Sequence, residues 1–281
     1  MLHPKNPHQG RYDLEKLCAI EPKLSNFVIN TIEAQKSIDF SNPKAVLLLN
    51  TALLKDNYSL EYWSIPEGHL CPPIPSRADY IHHISELVDT KAKVHCLDIG
   101  VGANCIYPII GSHAYNWNFI GSDISKYSLA NAQSIIDRNH RLASKIELRL
   151  QTEPKRIFKN IIKKEEYFDL SICNPPFYPS AMVAQKMNQR KTKNLGIGKG
   201  LNFSGQDHEL WCAGGELKYI KSMIQESHQY SEQVNWFTSL VSLKENLRPL
   251  KVALKKQGVS LIKVIPMTHG NKQTRILCWK Y

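Results

Sequence analysis

The sequence predicts an α/β fold in which an open, mostly parallel sheet carries helices on both faces. Short apolar runs that fit buried strands alternate with segments of helical periodicity between residues 77 and 257. A β-α-β-α order of this kind builds a parallel sheet covered by helices. The chain closes with two apolar runs joined by a polar loop at 268–273, which predicts a terminal hairpin and one antiparallel strand.

The predicted elements begin with a helix whose start is marked by Ser76 and Asp79. Their spacing is that of a capping box, so we expect this helix to run from Ser76 to about Val88. Strands are expected at 93–98, 117–123, 146–150, 168–173, 234–241, 259–265 and 274–279. Further helices are expected at 128–139, 158–164, 216–227 and 247–257.

A proline-rich stretch separates an N-terminal extension, residues 1–76, from a main domain, residues 77–281. Four prolines fall between residues 66 and 75, which excludes regular structure there. The extension has a weak helical pattern at 24–32 and a predicted short buried helix at 45–54. It is either an RNA-binding extension or a structural collar on the main domain, and its near-neutral charge leaves both open.

The composition indicates a globular chain without a membrane span, a disulfide framework or a metal site. Hydrophobic residues make up 42% and charged residues 22% of the 281 positions. No stretch approaches the roughly 20 uncharged apolar residues of a membrane helix, and the N-terminus lacks the apolar core of a signal peptide. The seven cysteines are odd in number and none forms a C-x-x-C pair. We therefore expect a cytoplasmic protein that binds no metal.

The positive charge is concentrated in the main domain and favours a polyanionic partner. The whole chain carries +11, from 36 Lys/Arg and 25 Asp/Glu; residues 1–76 hold 7 and 8 of these, so residues 77–281 carry +12. Residues 138–164 form one basic cluster. A second lies in the acid-free stretch 170–206, which contains Lys186, Arg190, Lys191, Lys193 and Lys199. A basic cluster is most often part of a solvated surface. The second cluster, however, follows directly after the turn at 174–177, whose acceptors are described below, and this position favours contacts with phosphates.

A glycine loop follows the first predicted strand of the main domain. Gly100 and Gly102 would let the backbone approach a ligand closely, directly after Asp98. The loop lacks the third glycine of the dinucleotide fingerprint and the lysine of the phosphate-binding loop, so a ligand without phosphates is favoured. Asp123 lies 21 positions beyond Gly102, near the roughly 20 expected for a carboxylate that binds ribose hydroxyls.

The turn Asn174-Pro175-Pro176-Phe177 directly follows the predicted strand at 168–173. Its two prolines supply no N–H donors, so the Asn174 amide oxygen and the Pro175 carbonyl are available as acceptors for an exocyclic amine. Phe177 could stack on a flat base; alternatively, it belongs to the core behind a proline-terminated strand. The turn, the glycine loop and Asp123 all fall at carboxyl ends of strands. They should therefore share one crevice, which weakens the core alternative.

Longer strings of residues give the chain a resemblance to a known family. They are Leu2-His3-Pro4, Arg11-Tyr12-Asp13, Ser37-Ile38-Asp39-Phe40, the string from Leu70 to Pro75, the string from Arg77 to His82, the string from Leu97 to Pro108, Asn174-Pro175-Pro176-Phe177, Glu209-Leu210-Trp211-Cys212 and the string from Trp236 to Ser242. The chain resembles class I methyltransferases, which use S-adenosyl-L-methionine and have a Rossmann-like fold. More narrowly, it resembles the bacterial RlmF family, which methylates N6 of an adenosine in 23S ribosomal RNA. It is similar, less closely, to eukaryotic methyltransferases of adenosine in spliceosomal small nuclear RNA.

The resemblance implies roles for particular residues. Gly100 and Gly102 would approach the methionine end of the cofactor, Asp123 its ribose and Gln151 the side of its adenine, while Arg77 would pair with the methionine carboxylate. The cofactor-binding set implied is Arg77, Asp98, Gly100, Gly102, Asp123, Gln151 and Asn174. The catalytic set is Asn174, Pro175, Pro176 and Phe177. RNA contacts would come from Tyr178, Lys186, Arg190, Lys191, Lys193 and Lys199. One departure is Ser204 where glycine is expected before Gly205.

The implied partner is 23S ribosomal RNA or a large-subunit assembly intermediate, with no obligate protein partner. Three alternatives remain open. They are a methyltransferase of a protein glutamine amide, an adenine-N6 DNA methyltransferase and a non-catalytic RNA-binding factor. The first class typically carries tyrosine, not Phe177, after the two prolines, and the sequence shows no separate module for reading DNA. Intact Asn174 and Asp123 argue against lost activity. His208 is expected to be structural rather than a general base, because the amine becomes acidic as it is methylated.

Overall fold

The structure is a computed structural model that describes residues 1–31, 34–89, 93–183, 210–269 and 272–281. Its strands in this part of the chain are β1 (Val28–Asn30), β2 (Lys36–Ile38), β3 (His95–Ile99), β4 (Asn118–Asp123), β5 (Ile146–Leu150), β6 (Phe168–Cys173), β7 (Val234–Val241), β8 (Leu261–His269) and β9 (Lys272–Lys280). β1 and β2 form a small antiparallel pair. The other seven form one sheet in the order β5-β4-β3-β6-β7-β9-β8.

The sheet is parallel except for β9, which runs antiparallel to both β7 and β8. Its strand order reverses at β3, which pairs with β4 on one side and with β6 on the other. Ile99 lies opposite Ser122 of β4 and opposite Cys173 of β6. The residues that follow these three positions therefore meet at one edge of the sheet, at the place where open α/β sheets bind ligands.

Helices cover both faces of the sheet, so the predicted fold class is confirmed. They are α1 (Leu14–Ile20), α2 (Pro43–Tyr58), α3 (Ile74–Ser85), α4 (Ile106–Tyr115), α5 (Lys126–Asp137), α6 (His140–Ala143), α7 (Gly215–Ser227) and α8 (Leu247–Lys256). One core cluster joins α2, α3, α4 and α5 to sheet residues such as Leu170 and Ile172. The other joins α7 and α8 to Leu97, Ile99 and Phe237 on the opposite face. No helix in the described ranges is long and apolar enough to span a membrane.

Three predicted helical segments differ from the structure. The weak pattern at 24–32 contains β1 instead of a continuous helix. Helix α3 starts at Ile74, with Pro73 as its N-cap, and ends at Ser85, so the predicted start at Ser76 and end near Val88 were wrong. Asp79 makes no capping box; its Oδ1 accepts the backbone N–H of His3 at 2.6 Å. The predicted helix at 158–164 is a series of turns, in which Asn160 has a φ of 67°.

The N-terminal residues pack on the same face of the sheet as α3 and α4. Asn42 caps α2 through its side chain, and Leu49 and Leu53 of α2 join the core cluster of that face. The connector between α2 and α3 is held by Asn139, whose Oδ1 accepts the Glu61 N–H at 2.7 Å. The division into an extension and a main domain at residue 76 stays a prediction.

Candidate active site

A cleft opens beyond the carboxyl ends of β3, β4 and β6, where the strand order reverses. It brings together seven of the predicted site residues from five separate segments, namely Arg77, Gly100, Gly102, Asp123, Gln151, Asn174 and Pro176. The connector also reaches it through Leu70 and Pro72. The remaining lining residues are Ile99, Val101, Asn104, Ile106, Tyr107, Ser122, Ile124, Pro154, Arg156, Ile157, Trp211, Cys212 and Tyr219.

The glycine loop is fixed by hydrogen bonds to the end of β4. The backbone N–H groups of Gly100 and Val101 both donate to the Ser122 carbonyl at 2.9 Å. The Gly102 N–H donates to Asp123 Oδ2 at 2.9 Å. Gly100 and Gly102 have φ angles of 76° and 64°, which residues with a side chain adopt only with strain. The loop therefore needs glycine for its backbone conformation.

The two aspartates beside this loop have opposite surroundings. Asp123 uses both oxygens, because Oδ1 also accepts the Ser125 N–H at 2.8 Å. Asp98 is 0% exposed, and neither of its oxygens has a hydrogen-bond partner in the described part of the chain. Burial and the nearby Asp123 raise the pKa of Asp98 to about 8, although Arg77 opposes the shift. Asp98 therefore holds its proton at neutral pH, whereas Asp123 acts as an acceptor.

Arg77 enters the cleft from the first turn of α3. Its Nη1 donates to the Tyr107 hydroxyl at 3.1 Å, and its guanidinium carbon lies 5.7 Å from the centre of that ring. The side chain is buried, so it is not the surface charge that is usual near a helix start. A buried guanidinium at the edge of this cleft is suited to bind a ligand carboxylate.

Gln151 lies at the end of β5, and its side chain is used by the chain itself. Its Nε2 donates to the Lys159 carbonyl at 2.9 Å, and its Oε1 accepts the Glu153 N–H at 2.9 Å. Gln151 therefore shapes the segment at 153–159 that borders the cleft. The buried Glu226 of α7 holds the same segment by accepting three backbone N–H groups at 2.8–3.0 Å, those of Ile157, Phe158 and Lys159.

The Asn-Pro-Pro-Phe turn leaves β6 at the edge of the cleft. Asn174 Oδ1 is buried and has no hydrogen-bond partner within the described ranges. Asn174 and Pro176 line the cleft, and the intervening Pro175 is buried. Phe177 is partly buried and belongs to neither core cluster that the described residues form. Phe177 does not line the cleft either, so its role as a stacking partner stays a prediction.

Of the predicted RNA contacts, the structure describes Tyr178 alone. Its backbone pairs with Leu210 and Cys212. The predicted contacts Lys186, Arg190, Lys191, Lys193 and Lys199 lie outside the described residues, as do Ser204 and His208.

Several cleft residues were not assigned a role from the sequence. Tyr107 and Trp211 fall within the strings that carried the resemblance, so a signal was present for them. Tyr219 gave no signal beyond its place in a helical pattern, and it reaches the cleft because α7 packs against β7. Leu70 and Pro72 were interpreted only as part of a connector.

The fold and the site together define a class. A glycine loop after β3, an acceptor carboxylate after β4 and an acceptor turn after β6 make this chain a class I methyltransferase in architecture. Residues 1–281 match a family model described as RNA methyltransferase, and the chain belongs to that family.

The relatives and solved structures agree with the predicted resemblance, which is confirmed. The chain is 49% identical over 287 residues to the ribosomal RNA large subunit methyltransferase F of Salmonella newport (strain SL254) and to that of Salmonella typhimurium (strain LT2); each match covers 100% of this chain and 93% of the relative. Its fold is similar to the hMettl16 catalytic domain in complex with MAT2A 3'UTR hairpin 1, with a TM-score of 0.86, 27% identity and coverage of 99% and 95% of the two chains. It is also similar to the N-terminal domain of human METTL16 in complex with SAH, with a TM-score of 0.81, 25% identity and coverage of 99% and 98%.

Proposed function

We propose that this protein transfers a methyl group from S-adenosylmethionine to the exocyclic N6 of a specific adenosine in 23S ribosomal RNA. The observation that carries this proposal is the unpartnered acceptor Asn174 Oδ1, which lines the same cleft as the glycine loop. A buried acceptor without a donor costs free energy, and a substrate amine supplies the missing N–H. The names of the 49% identical relatives support ribosomal RNA as the substrate class.

The residues of the cleft fit S-adenosylmethionine. Asp123 keeps further lone pairs for ribose hydroxyls beside the N–H bonds that it already accepts, and Arg77 offers a buried cation for the methionine carboxylate. Gly100 leaves open space on the side where a side chain would stand. When bound, the cofactor supplies an electrophilic methyl group, and the protein supplies binding and orientation.

The turn after β6 can orient the acceptor nitrogen. The amine of adenine is a poor nucleophile because its lone pair is delocalised into the ring. Two acceptors, Asn174 Oδ1 and the Pro175 carbonyl, would hold both amine hydrogens and favour a pyramidal nitrogen. This arrangement works by orientation and electrostatics, without a covalent intermediate. Phe177 would replace the lost base stacking, a contact worth about 1–3 kcal/mol per base.

A basic surface on α7 and α8 supports RNA as the partner. Their exposed faces, with the turn before α8, carry seven cations against one exposed acid in that turn, Glu245. The cations are Lys218, Lys221, Lys244, Arg248, Lys251, Lys255 and Lys256. The two glutamates of α7 are buried and do not offset them: Glu226 holds the segment at 157–159, and Glu216 accepts the Ser242 N–H at 2.8 Å. Such a surface suits a phosphate backbone. A cytoplasmic location, where ribosomal RNA is found, is part of the same proposal.

Methyl transfer to separate substrate pools tests the proposed function. Purified protein is incubated with labelled S-adenosylmethionine and with ribosomal RNA, DNA or a release-factor protein. We expect label in ribosomal RNA alone, as N6-methyladenosine after digestion to nucleosides. Label in the protein pool alone would instead identify a glutamine methyltransferase, which needs the same pair of acceptors for a side-chain amide. Label in no pool would support a non-catalytic RNA-binding factor.

A further inference from the structure

The segment Leu210-Trp211-Cys212 lies directly against the Asn-Pro-Pro-Phe turn. The Tyr178 N–H donates to the Leu210 carbonyl at 2.9 Å, and the Cys212 N–H donates to the Tyr178 carbonyl at 3.0 Å. These two bonds pair Trp211 with Tyr178 in a parallel bridge. Trp211 is therefore held in a fixed register beside the turn that carries Asn174.

The indole N–H of Trp211 has no acceptor. Its Nε1 atom is buried and lacks a hydrogen-bond partner in the described chain, and the residue lines the same cleft as Asn174. Two other buried indoles are bonded: Trp63 donates to the Asn104 carbonyl at 2.9 Å, and Trp279 donates to Ser227 Oγ at 3.0 Å. Trp117 Nε1 is also unpartnered, but that side chain is 0% exposed and lies in a core cluster rather than in the cleft.

Among the described residues, the cleft thus contains a buried acceptor without a partner, Asn174 Oδ1, and a buried donor without a partner, Trp211 Nε1. Adenine presents the complementary pair, an amine that donates and a neighbouring ring nitrogen that accepts, either N1 or N7. Guanine has a carbonyl in place of the amine, which would face the Asn174 oxygen. An acceptor and a donor together therefore select adenine over guanine.

We propose that Trp211 is a specificity-determining residue whose indole N–H donates to the ring nitrogen of adenine beside N6. The inference rests on the proposed function, because it needs an adenosine in RNA as the substrate. It assigns to Trp211 a polar contact in addition to any stacking. Replacing indole by a phenyl ring keeps an aromatic face but removes the N–H, so Trp211→Phe separates the two contributions.

The test measures methyl transfer by wild type and by Trp211→Phe on three RNAs that differ in one atom. A ribosomal RNA fragment carries adenosine, 1-deazaadenosine or 7-deazaadenosine at the methylated position. On adenosine we expect Trp211→Phe to lower kcat/KM by about ten- to a hundredfold, the effect of an unpaired polar group. On one of the two deaza substrates the variant and wild type should be equal, because the acceptor is already missing. On the other deaza substrate, the ratio of wild-type to variant kcat/KM should be the same as on adenosine.

The outcomes separate this inference from the proposed function. If Trp211→Phe lowers kcat/KM by the same factor on all three RNAs, or matches wild type on adenosine, the polar contact is refuted while RNA methylation stands. If the variant loses cofactor affinity in calorimetry, Trp211 belongs to the cofactor site and the inference is refuted. If wild type methylates no adenosine RNA, both fail. Trp117→Phe is the control for loss of an indole N–H outside the cleft. The relative kcat/KM values of this variant on the three RNAs should equal those of wild type.

Discussion

The two halves of the cleft differ in how their polar groups are satisfied. In the cofactor half, after β4 and β5, Asp123 and Gln151 are bonded to backbone groups of the protein itself. In the acceptor half, after β6, Asn174 Oδ1 and Trp211 Nε1 have no partner within the described residues. The polar groups of the first half are thus held by the protein itself, whereas the proposed function assigns the partners of the second half to the substrate.

This difference predicts distinct kinetic effects for substitutions in the two halves. Groups that are satisfied by the protein shape the cofactor site, so their loss should weaken cofactor binding. Groups that are satisfied by the substrate act on the reacting amine, so their loss should lower kcat or the kcat/KM for RNA. Asp98 is the exception in the cofactor half, because it is buried and unpartnered in the described chain.

The largest effect is expected for Asn174→Ala, in the acceptor half. Removing the acceptor for the amine should lower kcat by about 100- to 1000-fold, the effect of losing one preorganised hydrogen bond at a reacting centre. Cofactor affinity, measured by calorimetry, should stay within about twofold of wild type, because the cofactor half is bonded independently. Lost cofactor binding would instead place Asn174 among the cofactor ligands and remove the distinction between the two halves.

A smaller effect, on cofactor affinity and not on kcat, is expected for Asp123→Ala. The variant leaves the N–H groups of Gly102 and Ser125 without their carboxylate acceptor. Hydrogen bonds to a charged group are worth about 1.5–3 kcal/mol, so cofactor affinity should fall by about 10- to 150-fold. Single-turnover rates at saturating cofactor should change much less. A loss of rate with unchanged cofactor affinity would contradict the assignment of Asp123 to the cofactor half.

Glu226→Gln should affect the cofactor half more weakly and from a distance. Glutamine has one acceptor oxygen where the carboxylate has two, so it cannot accept all three N–H groups of Ile157, Phe158 and Lys159. We expect the KM for the cofactor to rise several-fold, with kcat nearly unchanged and stability lower by about 1–3 kcal/mol in urea unfolding. The exposed Glu232→Gln is the matched control and should match wild type in both measurements.

A last effect, on stability and not on catalysis, concerns the pH dependence of unfolding through Asp98, whose pKa rises from 3.8 to about 8. Between these values the folded state binds more protons than the unfolded state, so stability falls as pH rises. Asp98→Asn removes this dependence. In thermal unfolding without cofactor, the Tm of the variant minus that of wild type should therefore increase between about pH 4 and pH 8 and stay constant above pH 8. A difference in Tm that does not depend on pH would contradict the raised pKa.

The seven strands of the main sheet were predictable because each contains an apolar run, whereas the short β1 and β2 were not predicted. The predicted ranges 146–150, 168–173 and 234–241 are those of β5, β6 and β7. The sequence placed the glycine loop, Asp123 and the Asn-Pro-Pro-Phe turn at strand ends, and the parallel register then brings them together.

The wrong or missing predictions have two causes, contacts with distant residues and prolines whose effect on the helix start was not recognised. The segment at 158–164 has helical spacing, but Glu226 binds its backbone N–H groups and keeps it as turns. The start of α3 is set by prolines on either side of Ile74, not by Ser76. Trp211 reaches the cleft only through its pairing with Tyr178, a contact across 33 positions that no local pattern reports.

Mapping of N6-methyladenosine in 23S ribosomal RNA tests the central claim most directly. RNA is compared from cells with the gene, cells without it, and deleted cells that carry either the wild-type gene or the Asn174→Ala variant. The account predicts that one adenosine loses its methyl group in the deletion, regains it with the wild-type gene and stays unmethylated with the variant. An unchanged methylation pattern in the deletion, or full restoration by Asn174→Ala, would contradict it.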